Sequence, residues 1–193
     1  EMDPIVRAAL VHYQFETAHP FLDGNGRLGR LLITLMLIND GVLHSCLFYP
    51  SFQFKKNRSE YYRQLTSVRE RGTYEEWIEF FCASLLESAK DSVGSLKNLV
   101  DLHNRSAATI TENLGRTAAN GQRLLGILEE HPIVDTAFIA AQLDIGRSTA
   151  SSLVKSFEEL NILRPLDESK QRYRRYGYEE YLSILREDAE PIR

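Results

Sequence analysis

The sequence predicts a mainly α protein whose last third is a small winged helix-turn-helix module. Two observations carry the prediction. Over the first ~115 residues, helix start and stop signals recur, and nothing alternates apolar and polar residues as a strand would. Beyond Gly121 the order becomes helix, helix, glycine turn, helix, hairpin, which is the helix-turn-helix order with a wing.

Composition narrows the function classes. With 193 residues, 43% hydrophobic and 26% charged, the chain suits one medium domain or one domain plus an appendage, and not a disordered or fibrous protein. A net charge of −4 argues against coating nucleic acid or membrane by bulk charge. Cys46 and Cys82 stand 36 residues apart with no CxxC pair, which fits a reducing cytoplasm better than a disulfide framework or a zinc site. No run reaches the roughly 18 apolar residues of a membrane span, since Leu31–Ile38 is short and broken by Thr34. The chain opens Glu1-Met2 and enters a helix at once, without a signal peptide. It is therefore expected to be a piece whose upstream part is missing.

The elements follow in order. Asp3-Pro4 reads as an N-cap with proline at the first helical position. That helix runs to about Ala18, because His19 precedes Pro20 and is pushed out of the helical region. Pro20–Gly26 is a loop. A helix over Arg27–Asp40 is apolar nearly all round, so it is expected to be the buried central helix, with Gly41 as its stop. Ser51–Arg71 reads as one helix ending at Gly72. Thr73-Tyr74-Glu75-Glu76 is a capping box, and the helix it starts is expected to run, polar and interrupted, to about Asn113. Leu114–Gly121 is the junction between domains 1–115 and 118–193. Helices over Gln122–His131, Thr136–Leu143 and Ser148–Leu160 follow, the last two separated by Asp144-Ile145-Gly146. Ile162–Tyr178 reads as a two-stranded wing.

The chemistry lies in His19-Pro20-Phe21-Leu22-Asp23-Gly24-Asn25-Gly26-Arg27-Leu28-Gly29-Arg30. Glycines on either side of Asn25 permit a sharp turn that presents backbone N–H groups. They open onto a helix N-terminus, where unpaired N–H groups and the dipole favour an anion. Arg27 and Arg30, at i and i+3, project two guanidinium forks from that first turn, a pairing suited to polyphosphate. Asp23 is a lone carboxylate of the kind that holds magnesium beside nucleotides. His19, at the loop's far side, is a natural general base. Each part has a plainer reading: His19 as a helix cap, Gly24-Asn25-Gly26 as a turn, the arginines as a solvated helix start, and Asp23 as a capping carboxylate. Together they are the parts of phosphoryl or nucleotidyl transfer, and no Walker loop is present.

At every defined position this stretch resembles the Fic signature, HxFx[DE]GNGRxxR. The resemblance runs over roughly residues 4–90, including Ala9–Ala18, Phe48-Tyr49-Pro50-Ser51, Asn57-Arg58, Tyr61-Tyr62 and Trp77–Phe81. It implies an all-α Fic-type core and a Mg²⁺-dependent nucleotidyltransferase that moves AMP from ATP to a Ser, Thr or Tyr hydroxyl of a target protein, releasing pyrophosphate. By resemblance, His19 is the base and Asp23 the Mg²⁺ ligand. Gly24, Asn25 and Gly26, with amides through Gly29, form the anion cradle. Arg27 and Arg30 grip the β- and γ-phosphates, Phe21 is a buried anchor, and Tyr62 lies near the adenosine unless the tyrosine pair is ordinary core. The intact Gly24-Asn25-Gly26-Arg27 favours AMP transfer over the phosphorylation of the Doc-like branch; removal of AMP by the same site stays open. Residues 1–18 have no room for the family's hairpin flap or its further upstream helices, so 1–115 is expected to be the C-terminal part of a Fic catalytic domain. The nearest match to the family's inhibitory helix, Ala108–Asn113, lacks the leading Ser or Thr and reads as chance.

The C-terminal module leaves two partners open. Its third helix offers Arg147 and Lys155 against Glu158 and Glu159, and its wing offers Arg164, Lys170, Arg172, Arg174 and Arg175 against Asp167 and Glu168. Residues 118–193 carry ten basic and thirteen acidic groups, fewer cations than phosphate binding usually rests on. Protein contact or self-association is thus favoured over DNA. The competing function class is a nucleotide-binding, DNA-associated regulator or scaffold.

Overall fold

The computed structural model describes residues 2–44, 50–167 and 174–187. Cys46, Phe48, Tyr49, Glu168, Lys170 and Arg172, all singled out above, lie outside the described residues. The protein is mainly helical with one small three-stranded sheet, and it divides into two compact units, Glu1–Gly94 and Ser95–Glu187.

The first unit begins with α1 (Pro4–Ala18). Asp3 caps it through its carboxylate, which accepts from the Ile5 and Val6 amides at 2.8 and 3.2 Å, satisfying two of the four orphan donors of a helix start. α2 (Asn25–Asn39) returns antiparallel to it. Arg7 pairs with Asp40 at one end, and Gly29 meets His12 and Glu16 at the other. α3 (Ser51–Lys56), α4 (Arg58–Arg71) and the first half of α5 (Tyr74–Asn113) complete the unit. Its core joins Ala8, Ala9, Ile33, Leu37, Phe54, Tyr61, Leu65, Trp77 and Phe81. Burying Phe54 or Phe81 contributes about 1.5–3 kcal/mol each. The Trp77 indole donates to the Ala9 carbonyl at 2.9 Å, so its buried N–H has a partner.

Three expectations need correction here. α2 is not buried all round: Leu28, Leu31 and Leu35 are 41%, 53% and 50% exposed, while Asn25, Gly29, Ile33, Thr34 and Leu37 face inward. Residues 51–71 form two helices, because the Asn57 side chain donates to the Gln53 carbonyl and competes with the helical ladder there. α5 runs through its polar stretch without interruption for 40 residues.

In the second unit, α6 (Ala118–Glu130) follows a 3₁₀ turn at Gly115–Thr117 and starts four residues before its expected position. β1 (Ile133–Asp135), α7 (Thr136–Leu143), α8 (Arg147–Glu159), β2 (Arg164–Pro165), β3 (Arg175–Gly177) and α9 (Glu179–Glu187) complete it. The sheet order is β1-β3-β2, antiparallel throughout, with Val134 opposite Tyr176 and Arg164 opposite Gly177. The two strands expected within Ile162–Tyr178 pair, and a third joins them from the segment before α7. Leu124, Leu128, Ile139, Leu143, Val154 and Phe157 fill this unit's core. The buried Tyr178 and Ser106 hydroxyls share a hydrogen bond of 2.7 Å.

Candidate functional site

The site grows from the end of α1 and the start of α2. His19 ends α1 in the left-handed region, at φ 45°, with its N–H on the Phe15 carbonyl at 3.0 Å. Pro20 forbids further helix, so the chain turns outward and leaves His19 exposed. Gly24 supplies the second left-handed residue, φ 83°, immediately before α2.

Asn25 locks the loop. Its Oδ1 accepts from the Phe21 amide at 2.9 Å and its Nδ2 donates to the Phe21 carbonyl at 2.5 Å. With only 2% of its surface exposed, it is a clamp behind the turn rather than part of its rim. Phe21 itself is half exposed and Leu22 fully so. The expected buried anchor is thus corrected: the backbone of Phe21 is held while its ring meets Phe15 at 6.4 Å.

No side chain caps the N-terminus of α2, which leaves the positive end of the helix dipole facing outward. Asp23 and Arg27 stand beside it, both well exposed, at 3.3 Å from each other. Arg30 is drawn back along the helix: its Nε donates to the buried Ser51 hydroxyl at 3.0 Å, and its Nη1 packs over Gly26, 3.1 Å from where a Cβ would stand. Among the described residues neither Asp23 nor Arg27 has a buried partner, whereas Arg30 has Ser51. Among the described residues no group of three or more His, Cys, Asp or Glu converges, so no protein-only metal cage forms there. A lone loop carboxylate is nevertheless a donor set that fits magnesium, which takes one or two carboxylates and completes its shell with phosphates and water.

Gly29 has a different position from the rest of the loop. It is buried against α1, where a Cβ would stand 2.6 Å from Glu16 Oε1 and 3.1 Å from His12 Nδ1. Tyr62 is half exposed under the Arg58 guanidinium, 5.6 Å from its ring centre. It lines a cavity of about 690 Å³ with Ser59, Arg63, Ser67, Thr73 and Glu76, and none of residues 19–30 lines that cavity. Tyr61 is core: its hydroxyl bonds the His12 imidazole Nε2 at 2.9 Å.

Sequence reasoning missed His12, Glu16 and Ser51, all buried. The signal for the first two was present, since they fall on the 8, 9, 12, 13, 16 stripe that α1 buries. Polar residues on an apolar stripe mark a buried network. Burial pushes the His12 imidazole down to about 4, with Arg30 acting in the same direction. Burial raises the Glu16 carboxyl, opposed by the positive charges of Arg30, His19 and Arg69.

Comparison with known proteins fits this geometry. Residues 1–37 match the sequence model described as the Fic/DOC family. The chain is 35% identical over 96 residues to a protein adenylyltransferase fic-1 of Caenorhabditis briggsae, covering 50% of this chain and 18% of that protein. It is 34% identical over 100 residues to the protein of the same name from Caenorhabditis elegans, covering 52% and 18%. With a protein adenylyltransferase Fic of Drosophila ananassae it shares 38% over 79 residues, 41% of this chain and 14% of the other. The chain thus spans less than a fifth of the length of these curated relatives. The Fic/DOC match itself ends at Leu37, inside α2.

Proposed function

We propose that the protein is a protein adenylyltransferase. The observation that carries this reading is the grouping of exposed His19, Asp23 and Arg27 and the Ser51-tethered Arg30 around the uncapped start of α2. The relatives' name, protein adenylyltransferase, points the same way. ATP is the co-substrate and a Ser, Thr or Tyr hydroxyl of a target protein the acceptor.

The chain's own residues divide the work. His19 accepts the proton of the target hydroxyl as its oxygen attacks the α-phosphorus, forming one P–O bond as the bond to pyrophosphate breaks. Amides at the start of α2 and the forks of Arg27 and Arg30 hold the β- and γ-phosphates and the charge that grows on leaving pyrophosphate. Asn25 keeps the turn in shape, and Gly24 and Gly26 let the backbone approach. Asp23 would hold Mg²⁺, which when bound neutralises phosphate charge. Tyr62 is assigned to the adenosine side. Residues 1–115 are assigned to the catalytic domain, and a reducing cytoplasm to the location.

For residues 118–193 we propose a winged helix that contacts protein, a second copy or DNA. The order α6-β1-α7-α8-β2-β3 supports the winged-helix reading. Lys155 on α8 stands 3.7 Å from Glu159, which lowers the charge α8 offers to phosphate and favours protein over DNA. Among the described residues no helix is long and apolar enough to cross a membrane.

The deciding experiment is mass spectrometry for an AMP adduct on target proteins, comparing the chain with its His19→Ala variant. A positioned base is worth roughly 10²–10⁴ in rate. Loss of the adduct with ATP binding retained supports the assignment, and equal labelling by both proteins removes it.

A further inference from the structure

Glu16 is the one acid of the buried class among the described residues, 8% exposed, and its Oε1 has no hydrogen-bond partner. An unpartnered carboxyl in a core is costly unless it serves the charges around it. Those charges come from three elements. His12 and His19 share α1 with it, Arg30 faces it from α2, and Arg69 and Tyr61 face it from α4. Two of these, His19 and Arg30, belong to the anion loop. Glu16 stands three residues before His19 at the end of α1 and meets α2 at Gly29, the neighbour of Arg30.

We propose that Glu16 is a positioning residue of the anion site: a buried acid that holds Arg30 and His19 by charge while the loop is empty and takes up a proton when a polyphosphate occupies it. The inference rests on reading the loop as a nucleotide site. Its physical basis is competition for the same cations. With the loop empty, Arg30 and His19 favour ionised Glu16. An incoming polyphosphate draws on those cations from the solvent side and adds like charge within the same few residues, so the carboxyl is driven to its neutral form. By linkage, the affinity for polyphosphate falls as rising pH ionises Glu16, and binding takes up protons.

The test is calorimetry of ATP and of inorganic tripolyphosphate in two buffers of different ionisation enthalpy, between pH 5 and 8. It is run on the 193-residue chain, Glu16→Gln and His19→Ala. Protons released or bound by the ligand itself are common to all three proteins and cancel in the differences. The expected result is an extra uptake of roughly half a proton per ligand at its maximum, kept in His19→Ala and lost in Glu16→Gln. The Gln variant, held in the neutral form, should bind ATP at least as tightly as the native chain and lose the fall in ATP affinity with rising pH. Equal proton counts in the native chain and Glu16→Gln overturn the inference while leaving the nucleotide reading intact. Failure of the native chain to bind either ligand overturns the nucleotide reading itself, and this inference with it. A measurement that needs no variant is the ¹³C shift of the Glu16 carboxyl, which should move to its protonated position on adding ATP; a carboxyl that stays ionised throughout also overturns the inference.

Discussion

Glu16 Oε1 lies 2.6 Å from the point where a Cβ on Gly29 would stand. At this close approach between α1 and α2 an added Cβ would have to displace the Glu16 tip and press on the His12 ring at 3.1 Å, although the glycine sits in mid-helix with ordinary backbone angles. Neither sequence position announces the other, and the pair sets how near the anion loop comes to the only buried acid among the described residues.

Gly29→Ala should therefore destabilise the protein. Helix propensity alone favours alanine by about 1 kcal/mol. Overpacking against Glu16 and His12 costs about 1–3 kcal/mol, and His12 can move little inside its ring of Phe54, Tyr61, Trp77 and Phe81. Urea denaturation should show a net loss; a gain in stability would mean that the helices part without cost.

His12 makes stability depend on acidity. Its folded value, about 4, lies below its ordinary 6.5 because burial disfavours the imidazolium. A depressed value means that the stabilisation is complete above 6.5 and is lost as pH falls from there toward 4, about 3 kcal/mol in all. Glu16 has the opposite sign: its raised carboxyl favours the fold at low pH and less so as pH rises through its folded value. Wherever Glu16 is protonated in the fold and ionised in the unfolded chain, its slope opposes that of His12, so the His12 contribution is read as the difference between the native chain and a variant without the imidazole. His12→Gln should flatten the fall in urea midpoint over this window, whereas an unchanged pH profile would place the acid sensitivity elsewhere.

What the sequence showed plainly was local. Asp3-Pro4 starts α1, His19-Pro20 ends it, Gly72 stops α4, and the signature loop declares itself in twelve consecutive residues. Each signal acts over a few positions, where capping and backbone sterics decide. Features set by distant partners were not legible. β1 has three residues, and they are a strand only because β3, some forty positions later, pairs with them. The leucines of α2 read as core because apolar composition says that a face wants cover without saying what covers it. The division between units falls inside α5, at Gly94, where no proline or capping residue marks a boundary.

Asn25 tests whether the loop's shape matters apart from its charge. Asn25→Ala removes both hydrogen bonds to Phe21 and leaves every charged residue in place. Two half-buried bonds are worth roughly 1–3 kcal/mol together. ATP affinity should fall about tenfold, with a smaller change in overall stability, because only the turn loosens. Asn25→Asp should not restore it, since aspartate keeps an acceptor for the Phe21 amide but sets a carboxylate against the Phe21 carbonyl. Full affinity in either variant would show that α2 holds the cradle without its clamp.

Arg30 and Arg27 should differ although the sequence presents them as a pair. Arg30 is tethered through Nε to buried Ser51, so its outer nitrogens are oriented before any ligand arrives. Arg27 pairs with exposed Asp23, at 3.3 Å, and surface pairs of this kind orient little. A preorganised charged fork is worth about 1.5–3 kcal/mol to a phosphate, or roughly ten- to a hundredfold in affinity. Arg30→Ala should accordingly weaken ATP by that factor and AMP much less, because AMP has no terminal phosphate for the fork to hold. Ser51→Ala should reproduce part of the loss with the arginine still present, by freeing Nε and letting the side chain swing. Calorimetry of both nucleotides on the three variants separates the cases: equal losses for ATP and AMP in Arg30→Ala, or a larger effect from Arg27→Ala, would take the terminal phosphate away from Arg30.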